Sequence, residues 1–341
     1  MAQAMIAMSG GVDSSVAAFL AMEQGYRCIG GTMLLWDRNT DATNDARAVA
    51  QRLDMPFYVF DAAEEFRSCV VSPFVGSYEA GLTPNPCIRC NNTLKFAYLL
   101  EQAIALGCDR LVTGHYARLS TQGDRTLLYK APDANKDQSY FLAGLTQHQL
   151  SRSLFPLGEL TKAQARQIAQ EQGFINARKK DSQDICFIPD GDYKHFMEQY
   201  TGKVYPQGNF LDTDGKVVGC HSGAVGYTLG QRKGLGLAMG KPVYVCGKDM
   251  TANTVTVGDE SLLFSTTLWA TDCNFIPFDR LDAPMQVTAK TRSRHAGAPA
   301  TVYPEEQGIR VEFAEPQRAI TPGQAVVLYD GDLVIGSGTI K

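Results

Sequence analysis

Residues 9–15, Ser-Gly-Gly-Val-Asp-Ser-Ser, constrain the fold of this chain more than any other segment. An apolar run over residues 4–8 precedes them, and residues 16–22, rich in helix-forming side chains, follow. This order predicts a β-strand, a tight turn and an α-helix. Because Gly10 and Gly11 lack Cβ atoms, backbone N–H groups can close on an anion that also faces the positive end of the helix dipole. The segment therefore predicts a phosphate-binding loop.

The loop differs from two common nucleotide-binding motifs. The sequence contains no G-x-x-x-x-G-K-[ST], whose lysine reaches the β and γ phosphates, and no G-x-G-x-x-G of the dinucleotide folds. Ser-Gly-Gly-Val-Asp-Ser instead resembles the PP-loop of the ATP pyrophosphatases, which cleave ATP between the α and β phosphates and adenylate a substrate. Met33 ends a predicted strand and fits either an adenine contact or the hydrophobic core. The resemblance implies that the following residues bind ATP: Ala7, Met8, Ser9, Gly10, Gly11, Val12, Asp13, Ser14, Met33 and Gly114.

Strand-like and helix-like segments alternate over residues 1–115, which predicts a parallel sheet with helices on both faces. One of the predicted helices covers residues 95–106. Beyond residue 201 helix patterns vanish, and turns separate short segments rich in Gly, Val, Thr and Tyr. We therefore predict an α/β fold with three parts. They are a doubly wound parallel-sheet PP-loop domain over residues 1–200, a small β-rich module over 201–260 and a β-barrel over 261–341.

The topology also predicts where the ligand lies. In open parallel sheets, ligands bind beyond the carboxyl ends of the strands. The PP-loop and Gly114 both follow predicted strands, so they should share one edge of the sheet.

Composition excludes several classes of protein. The net charge is −4 for 341 residues, so any binding of nucleic acid has to use local basic patches. No apolar run approaches the roughly 20 residues of a membrane span and no signal-peptide pattern opens the sequence, so we expect a cytoplasmic protein without a membrane partner. Nine cysteines in such a chain do not indicate a disulfide scaffold. Six of them receive no predicted role: Cys28, Cys69, Cys108, Cys220, Cys246 and Cys273.

The other three cysteines lie in suggestive surroundings. Cys87 and Cys90 form a C-x-x-C pair after two prolines, a spacing that suits a redox pair, half of a zinc site or cluster ligation. Cys186 follows the basic run Arg178, Lys179 and Lys180, which would favour its thiolate if the charges lie close in space. A buried structural cysteine is the alternative for Cys186, since its neighbours are Ile and Phe.

Seven motifs together make the chain similar to the tRNA-specific 2-thiouridylase family, and they span nearly its whole length. The resemblance implies adenylation of the C2 carbonyl of the wobble uridine, position 34, followed by replacement of the oxygen with sulfur. The products are 2-thiouridine, AMP and pyrophosphate. The implied partners are tRNA and a persulfide donor, either a cysteine desulfurase or a sulfur-relay protein. Mg²⁺ accompanies ATP, with Asp13 and the phosphates as its expected ligands. The motifs are residues 9–15, 83–91, 113–116, 135–141, 181–187, 228–236 and 321–324.

The resemblance assigns the sulfur chemistry to two cysteines. Cys186 carries the persulfide, and Cys90 is the nucleophile that attacks it and leaves a transient Cys90–Cys186 disulfide for a reductant to reopen. Asn85, Pro86 and Cys87 line the pocket for the flipped-out base. Some family members carry Asp in place of Cys87. With a cysteine there, an alternative is a [4Fe–4S] cluster held by Cys87, Cys90 and Cys186 that binds the incoming sulfide.

RNA contacts follow from the same resemblance and from local charge. His115 also suits a core position, although its place beyond a strand end favours the site. Two other classes of protein stay open for this chain. One is a PP-loop amidating ligase, and the other is a non-catalytic RNA-binding protein that keeps a nucleotide for structure. The residues that the resemblance places against tRNA are His115, Lys136, Asp137, Gln138, Arg292, Ser293 and Gln324. Further candidates for phosphate contacts are Arg178, Lys179, Lys180, Arg232, Lys233 and Arg294.

Overall fold

The computed structural model describes residues 1–36, 40–179 and 185–341. Its N-terminal part is built on a five-stranded parallel sheet with the strand order β3-β2-β1-β4-β7. The central strands are apolar and buried on both faces, as expected of a parallel sheet covered by helices. The strands of this sheet are β1 (Gln3–Ala7), β2 (Arg27–Leu34), β3 (Phe57–Asp61), β4 (Arg110–Val112) and β7 (Ser153–Leu154).

Helices cover both faces of the sheet, which confirms the predicted doubly wound α/β domain. Helix α1 packs with apolar residues of α2 and α9 on one face, and α6 packs on the other. Two further segments, Arg67–Val71 and Asn91–Tyr98, are π-helical. The helices are α1 (Val12–Glu23), α2 (Thr40–Arg52), α3 (Ala63–Phe66), α4 (Ser72–Glu79), α5 (Pro86–Cys90), α6 (Leu99–Ala105), α7 (Ser139–Leu142), α8 (Gln147–Ser151), α9 (Lys162–Glu171) and α10 (Tyr193–Thr201).

The central module is a four-stranded sheet with the order β10-β11-β8-β9. Its own small core is centred on Phe210 and includes Val245, Val255 and Val257. This module agrees with the predicted β-rich segment. Its strands are β8 (Gly208–Leu211), β9 (Val217–His221), β10 (Tyr244–Asp249) and β11 (Thr254–Gly258).

The C-terminal part is an antiparallel barrel, as predicted. Its strands follow the order β12-β15-β14-β13-β16-β17, and pairing of β12 with β17 closes it. A hairpin from the N-terminal domain, β5 and β6, extends the barrel sheet through the pair Leu333 and Tyr129. The strands are β5 (Ala117–Gln122), β6 (Arg125–Lys130), β12 (Phe264–Phe275), β13 (Met285–Lys290), β14 (Ala298–Glu305), β15 (Gly308–Arg318), β16 (Ala325–Asp330) and β17 (Leu333–Ile340).

A turn of the barrel rests on the loop that leads to the C-x-x-C pair. The backbone N–H of Thr83 donates to the carbonyl of Pro322 at 2.9 Å. Gly323 has φ +89°, and a Cβ on it would lie 2.9 Å from the Thr83 nitrogen. Because only glycine allows both the positive φ and this close approach, the turn fixes the path of the chain into α5. In the described residues, no helix is both long and apolar enough to cross a membrane.

Candidate active site at the carboxyl edge of the parallel sheet

The predicted phosphate loop lies between β1 and α1. Gly10 has φ +72°, and a Cβ there would lie 2.2 Å from the carbonyl oxygen of Ala42, so the position requires glycine. The Ser14 hydroxyl accepts from the backbone N–H of Ser9 at 3.3 Å and donates to the Gly11 carbonyl at 3.0 Å. Side-chain and backbone bonds therefore hold the loop in shape before any ligand binds.

Hydrophobic residues around the loop face the core. The side chains of Met8 and Val12 are buried in the cluster beneath α1. Ala7 and Met33, at the ends of β1 and β2, are partly buried against the core on the opposite face. Met33 therefore lies at the carboxyl edge, as predicted, while its contact with adenine stays a prediction.

Gly114 lies against the start of α1, on the edge where the topology predicted it. It follows β4, which pairs with β1 in parallel. A Cβ on Gly114 would lie 2.6 Å from the carbonyl carbon of Asp13 and 2.8 Å from the nitrogen of Ser14. The loop after β4 and the phosphate loop therefore form one continuous surface.

Two lysines from distant parts of the sequence lie at the phosphate loop: Lys162, which the sequence analysis missed, and Lys179, which it assigned to Cys186. Lys162, at the start of α9, places its Nζ 2.8 Å from both carboxylate oxygens of Asp13. The Tyr116 hydroxyl donates to the same carboxylate at 2.8 Å. Lys179 donates to the Gly10 carbonyl at 3.3 Å and to Asp45 at 2.7 Å. The loop lacks a lysine of its own, and the tertiary fold brings two to it.

Asn85, Cys87 and Cys90 lie in or next to the short helix α5. Asn85 caps the helix by accepting from the backbone N–H of Ile88 at 3.3 Å, and Pro86 occupies the first turn. Cys87 and Cys90, three positions apart, therefore project from neighbouring positions on this helix. Cys87 is exposed and Cys90 is half-buried. Helix α5 thus orients the C-x-x-C pair.

Cys186 faces this pair from the loop before α10. Burial, with smaller contributions from the charges of Cys90 and Cys87, raises the pKa of its thiol to about 11, so the three thiols lie within range of one another's charges. Cys186 is exposed to solvent. The protein atoms around its sulfur still displace enough water to disfavour the thiolate. Burial also raises the pKa of Cys87 and Cys90. All nine cysteines are free thiols.

The cation near these thiols differs from the predicted one. Lys95 lowers the pKa of Cys87, Cys90 and Cys186, partly opposing the effect of burial. The predicted activator Lys179 is instead bound to the phosphate loop and Asp45. That prediction was wrong for Lys179, because packing of residues 174–177 beside α1 directs the chain to the phosphate loop. Lys180 and residues 181–184 of the cysteine motif lie outside the described residues.

His115 occupies an interior position. Its ring packs against Phe96 and Phe155, which also contact each other, and its Nδ1 is 2.8 Å from the Thr113 hydroxyl. Burial and the charge of Lys95 hold its pKa well below the usual value, so the ring is neutral. The predicted contact of His115 with tRNA stays a prediction, and it requires that the ring become exposed.

Asp137 and Gln138 stabilise the local backbone through hydrogen bonds that their side chains accept. Asp137 accepts from the backbone N–H groups of Ala131 and Ser139 at 3.2 and 3.1 Å. The Gln138 side chain accepts from the Tyr116 backbone at 3.0 Å. Lys136, beside them, is partly exposed. The first two residues therefore hold the loop that presents Lys136.

The residues of the barrel that were predicted to contact tRNA lie outside the cavity beside α5. A cavity of about 400 Å³, lined in part by Asn85 and Pro86, separates α5 from the barrel. Arg292 is exposed and donates to the Arg318 carbonyl at 3.3 Å, while Ser293 and Gln324 are partly exposed. Lys136, Arg292 and Gln324 are thus accessible to a large ligand. The roles of these residues in RNA binding stay predictions.

Models of known families match the chain in three consecutive parts. The descriptions are a tRNA methyl transferase HUP domain over residues 2–190, a tRNA methyl transferase PRC-barrel domain over 194–259 and an aminomethyltransferase beta-barrel domain over 265–340. The tRNA-specific 2-thiouridylase MnmA of Acetivibrio thermocellus is 47% identical, with 99% of this chain and 98% of the relative covered. The chain belongs to the tRNA-specific 2-thiouridylase family. A second member, from Clostridium perfringens, is 48% identical over 99% of this chain and 98% of its own length.

The solved structures with a similar fold share far less sequence identity with this chain. NMN synthetase from Francisella tularensis is 16% identical with a TM-score of 0.36, covering 59% of this chain and 77% of its own. A 4-thiouridine synthetase in complex with RNA and ATP is 16% identical with a TM-score of 0.37, covering 55% of this chain and 45% of its own. Similarity at this level carries no argument about function.

Proposed function

We propose that this chain is a tRNA-uridine 2-sulfurtransferase that converts the wobble uridine of tRNA to 2-thiouridine with ATP and a persulfide. The observation that carries the proposal is that the chain combines a glycine-dependent phosphate loop with three thiols that lie within range of one another's charges. Its relatives are named tRNA-specific 2-thiouridylases. We expect the reaction to run in the cytoplasm, where thiols stay reduced.

The first step is adenylation of the C2 carbonyl. Oxygen is a poor leaving group at this carbon, whereas AMP is a good one. The N–H groups at the start of α1 and the hydroxyls of Ser9 and Ser14 suit the phosphates. Lys162 supplies positive charge beside the loop and stabilises the departing pyrophosphate.

Mg²⁺ is the expected companion of ATP, and Asp13 is its candidate ligand. The carboxylate suits a hard cation. Both of its oxygens are bonded to Lys162, and one also accepts from Tyr116. Asp13 therefore fits the ion if Lys162 moves from the carboxylate to the phosphates as they arrive.

The second step is sulfur transfer. The Cys90 thiolate attacks the inner sulfur of a Cys186 persulfide, a Cys90–Cys186 bond forms, and the terminal sulfur leaves with the bonding electrons as hydrosulfide. Hydrosulfide then attacks C2 and displaces AMP. A thiol reductant reopens the disulfide. The neighbouring positions of the three thiols support this route.

Asn85, Pro86 and Cys87 are the proposed lining for the flipped base, since chemistry on a base edge requires the base outside its stack. The tRNA backbone would contact Lys136, Arg292, Ser293 and Gln324. His115 would also contact tRNA once its ring becomes exposed. A cysteine desulfurase or a sulfur-relay protein would load Cys186.

A cluster-based route is the alternative. Within residues 1–36, 40–179 and 185–341, no three His, Cys, Asp or Glu side chains are close enough to hold a metal ion. The present arrangement of Cys87, Cys90 and Cys186 therefore does not fit a [4Fe–4S] site, and we derive no step through one. Measuring iron and acid-labile sulfide in the anaerobically purified wild type and in Cys87→Ala distinguishes the cluster-based route from the direct persulfide route. About four irons per chain, lost in the variant, would overturn the direct route.

A reconstituted reaction tests the proposal. The mixture contains purified protein, ATP, Mg²⁺, a persulfide source and a tRNA with wobble uridine, and a matched tRNA with wobble cytidine is the control. We expect pyrophosphate release and 2-thiouridine with the first tRNA alone. Cys186→Ser should abolish thiolation. Neither pyrophosphate nor a thiolated nucleoside would contradict the proposal, and a methylated nucleoside would favour the activity in the family descriptions.

A further inference from the structure

The segment after helix α9, residues 174–179, lies against the phosphate loop. Phe174 and Ala177 are buried in the hydrophobic cluster that also contains the apolar face of α1. Asn176 lies between them in sequence and is only 4% exposed. The packing of its apolar neighbours therefore brings a buried amide to Gly10, which is 166 positions away in the chain.

The Asn176 amide donates two hydrogen bonds to the loop. Its Nδ2 lies 3.1 Å from the carbonyl oxygen of Gly10 and 2.9 Å from the hydroxyl oxygen of Ser15. The same Gly10 oxygen accepts from Nζ of Lys179 at 3.3 Å, and Asp45 holds that ammonium at 2.7 Å. A carbonyl oxygen has two lone pairs, so two donors from one distant segment occupy this acceptor.

The orientation of the Gly10 carbonyl affects any anion in the loop. Its oxygen is partially negative and would repel phosphates if it turned towards them. In a planar trans peptide the C=O and the N–H point in opposite directions, so a fixed Gly10 oxygen also fixes the N–H of Gly11. Gly10 has φ +72°, and glycine offers little steric resistance to rotation of this peptide. Gly11 is the N-cap residue of α1, where N–H groups are free to bind an anion.

Stability alone does not favour an asparagine at position 176. In the described part of the chain its Oδ1 is buried without a hydrogen-bond partner, and burying such a group costs free energy. A small apolar side chain would avoid this cost but would supply no donor. The donor group is therefore the property of Asn176 that the phosphate loop requires.

We propose that Asn176 and Lys179 are positioning residues for adenylation. By anchoring the Gly10 carbonyl, they keep the Gly11 N–H directed at the phosphates of ATP. The reaction assigned to them rests on the proposed function. Neither residue takes part in bond making, and their contribution is the shape of the anion site before ATP arrives.

Binding of ATP and of adenosine tests this anchor, because adenosine lacks the phosphates. Dissociation constants of the full chain are measured for the wild type, Asn176→Ala and Lys179→Met. Asn253 of the central module provides the control Asn253→Ala, since its amide also donates to two backbone carbonyls, at 3.1 and 3.0 Å. We expect about 10- to 100-fold weaker ATP binding in Asn176→Ala, adenosine binding within about twofold of the wild type, and wild-type values in Asn253→Ala. Lys179→Met should weaken ATP binding in the same selective way.

The double variant distinguishes a shared anchor from two independent contacts. Either donor alone retains part of the orientation of the oxygen, so the double variant should lose more ATP affinity than the product of the two single losses. A loss equal to that product, or equal fold-changes for ATP and adenosine in Asn176→Ala, would overturn the proposal. If Asn176→Ala does not fold, unchanged ATP binding in Lys179→Met, whose lysine is 42% exposed, would overturn it as well.

This assay contains neither tRNA nor a sulfur donor. Failed thiolation together with the expected changes in ATP binding would therefore contradict the proposed function alone. Intact thiolation together with unchanged ATP binding in the variants would contradict the anchor alone.

Discussion

Lys162 and Asp13 are 149 positions apart in sequence, and the Nζ of one lies 2.8 Å from both carboxylate oxygens of the other. The side chain of Lys162 is 12% exposed and that of Asp13 is 31% exposed, so the pair is partly shielded from solvent. Helix α9 packs directly on α1, which brings the two residues together. A loop motif without a lysine thereby gains a cation.

Replacing Lys162 should impair adenylation. We expect Lys162→Met to reduce tRNA-dependent pyrophosphate release about 100-fold, because the departing phosphates lose a cation and Asp13 is left to repel them. Pyrophosphate release at saturating ATP is the measurement, with Lys216→Met, which replaces an exposed lysine of the central module, as the matched control. A rate near that of the wild type would contradict the role of Lys162.

Adding a methyl group at Gly114 should disrupt the carboxyl edge of the parallel sheet, where the phosphate loop lies. Its Cβ would lie 2.6 Å from a backbone atom of Asp13, which cannot move without displacing the phosphate loop. We expect Gly114→Ala to reduce the free energy of unfolding by about 1–3 kcal/mol and to weaken ATP binding. Gly76→Ala is the control, because a Cβ on Gly76 meets nothing within 4 Å. Denaturant unfolding and ATP titration check both variants, and equal behaviour of the two would refute the steric argument.

Substitutions of the two proposed sulfur-transfer cysteines, Cys90 and Cys186, should block thiolation at different steps. Cys90→Ser should accumulate persulfide on Cys186, because the attacking thiolate is missing, whereas Cys186→Ser should never acquire it. Intact-protein mass spectrometry after incubation with a persulfide donor distinguishes the two variants. The exposed Cys220 offers the control Cys220→Ser, which should turn over normally. Persulfide on Cys90 in the wild type would reverse the assigned roles.

Burial of His115 predicts a loss of stability in acid. Its pKa is lowered in the folded protein, so the unfolded chain binds the proton first as the pH falls. The contribution of the neutral ring is therefore complete above about pH 6.5 and decreases below it, by up to about 1.4 kcal/mol per pH unit. His115→Gln should flatten the decline of Tm between about pH 7 and pH 5, whereas the exposed His148→Gln should not. His221 and His295, whose pKa values are also lowered, contribute to the residual slope. A slope unaffected by His115→Gln would show that the ring titrates normally.

Local patterns were sufficient to predict the strand, loop and helix around residues 9–15, because glycine freedom and helix propensity act within a few residues. They also gave the alternation of strands and helices in the first domain and the change to β structure beyond residue 201. Cys87, Cys90 and Cys186 were identified on spacing and resemblance; their thiols lie within range of one another's charges, and their roles stay predictions.

Other features depend on contacts between distant residues. The helix predicted over residues 95–106 begins in a π-helical segment, and residue type alone does not distinguish i→i+5 from i→i+4 bonding. The hairpin β5–β6 joins the barrel through Tyr129 and Leu333, a pairing that no periodicity of either strand reveals. Lys179 was predicted at the wrong site because its partner, Asp45, lies 134 positions away.

The sequence by itself determined the phosphate loop, the order of the domains and the identity of the thiols, since each is encoded in consecutive residues. The tertiary structure decided which charges meet those groups. Lys162 reaches Asp13 because α9 packs on α1, and the charge of Lys95 acts on Cys87, Cys90 and Cys186 from the π-helical segment after Cys90. An electrostatic interaction depends on distance in space, and that distance exists only once the helices have packed.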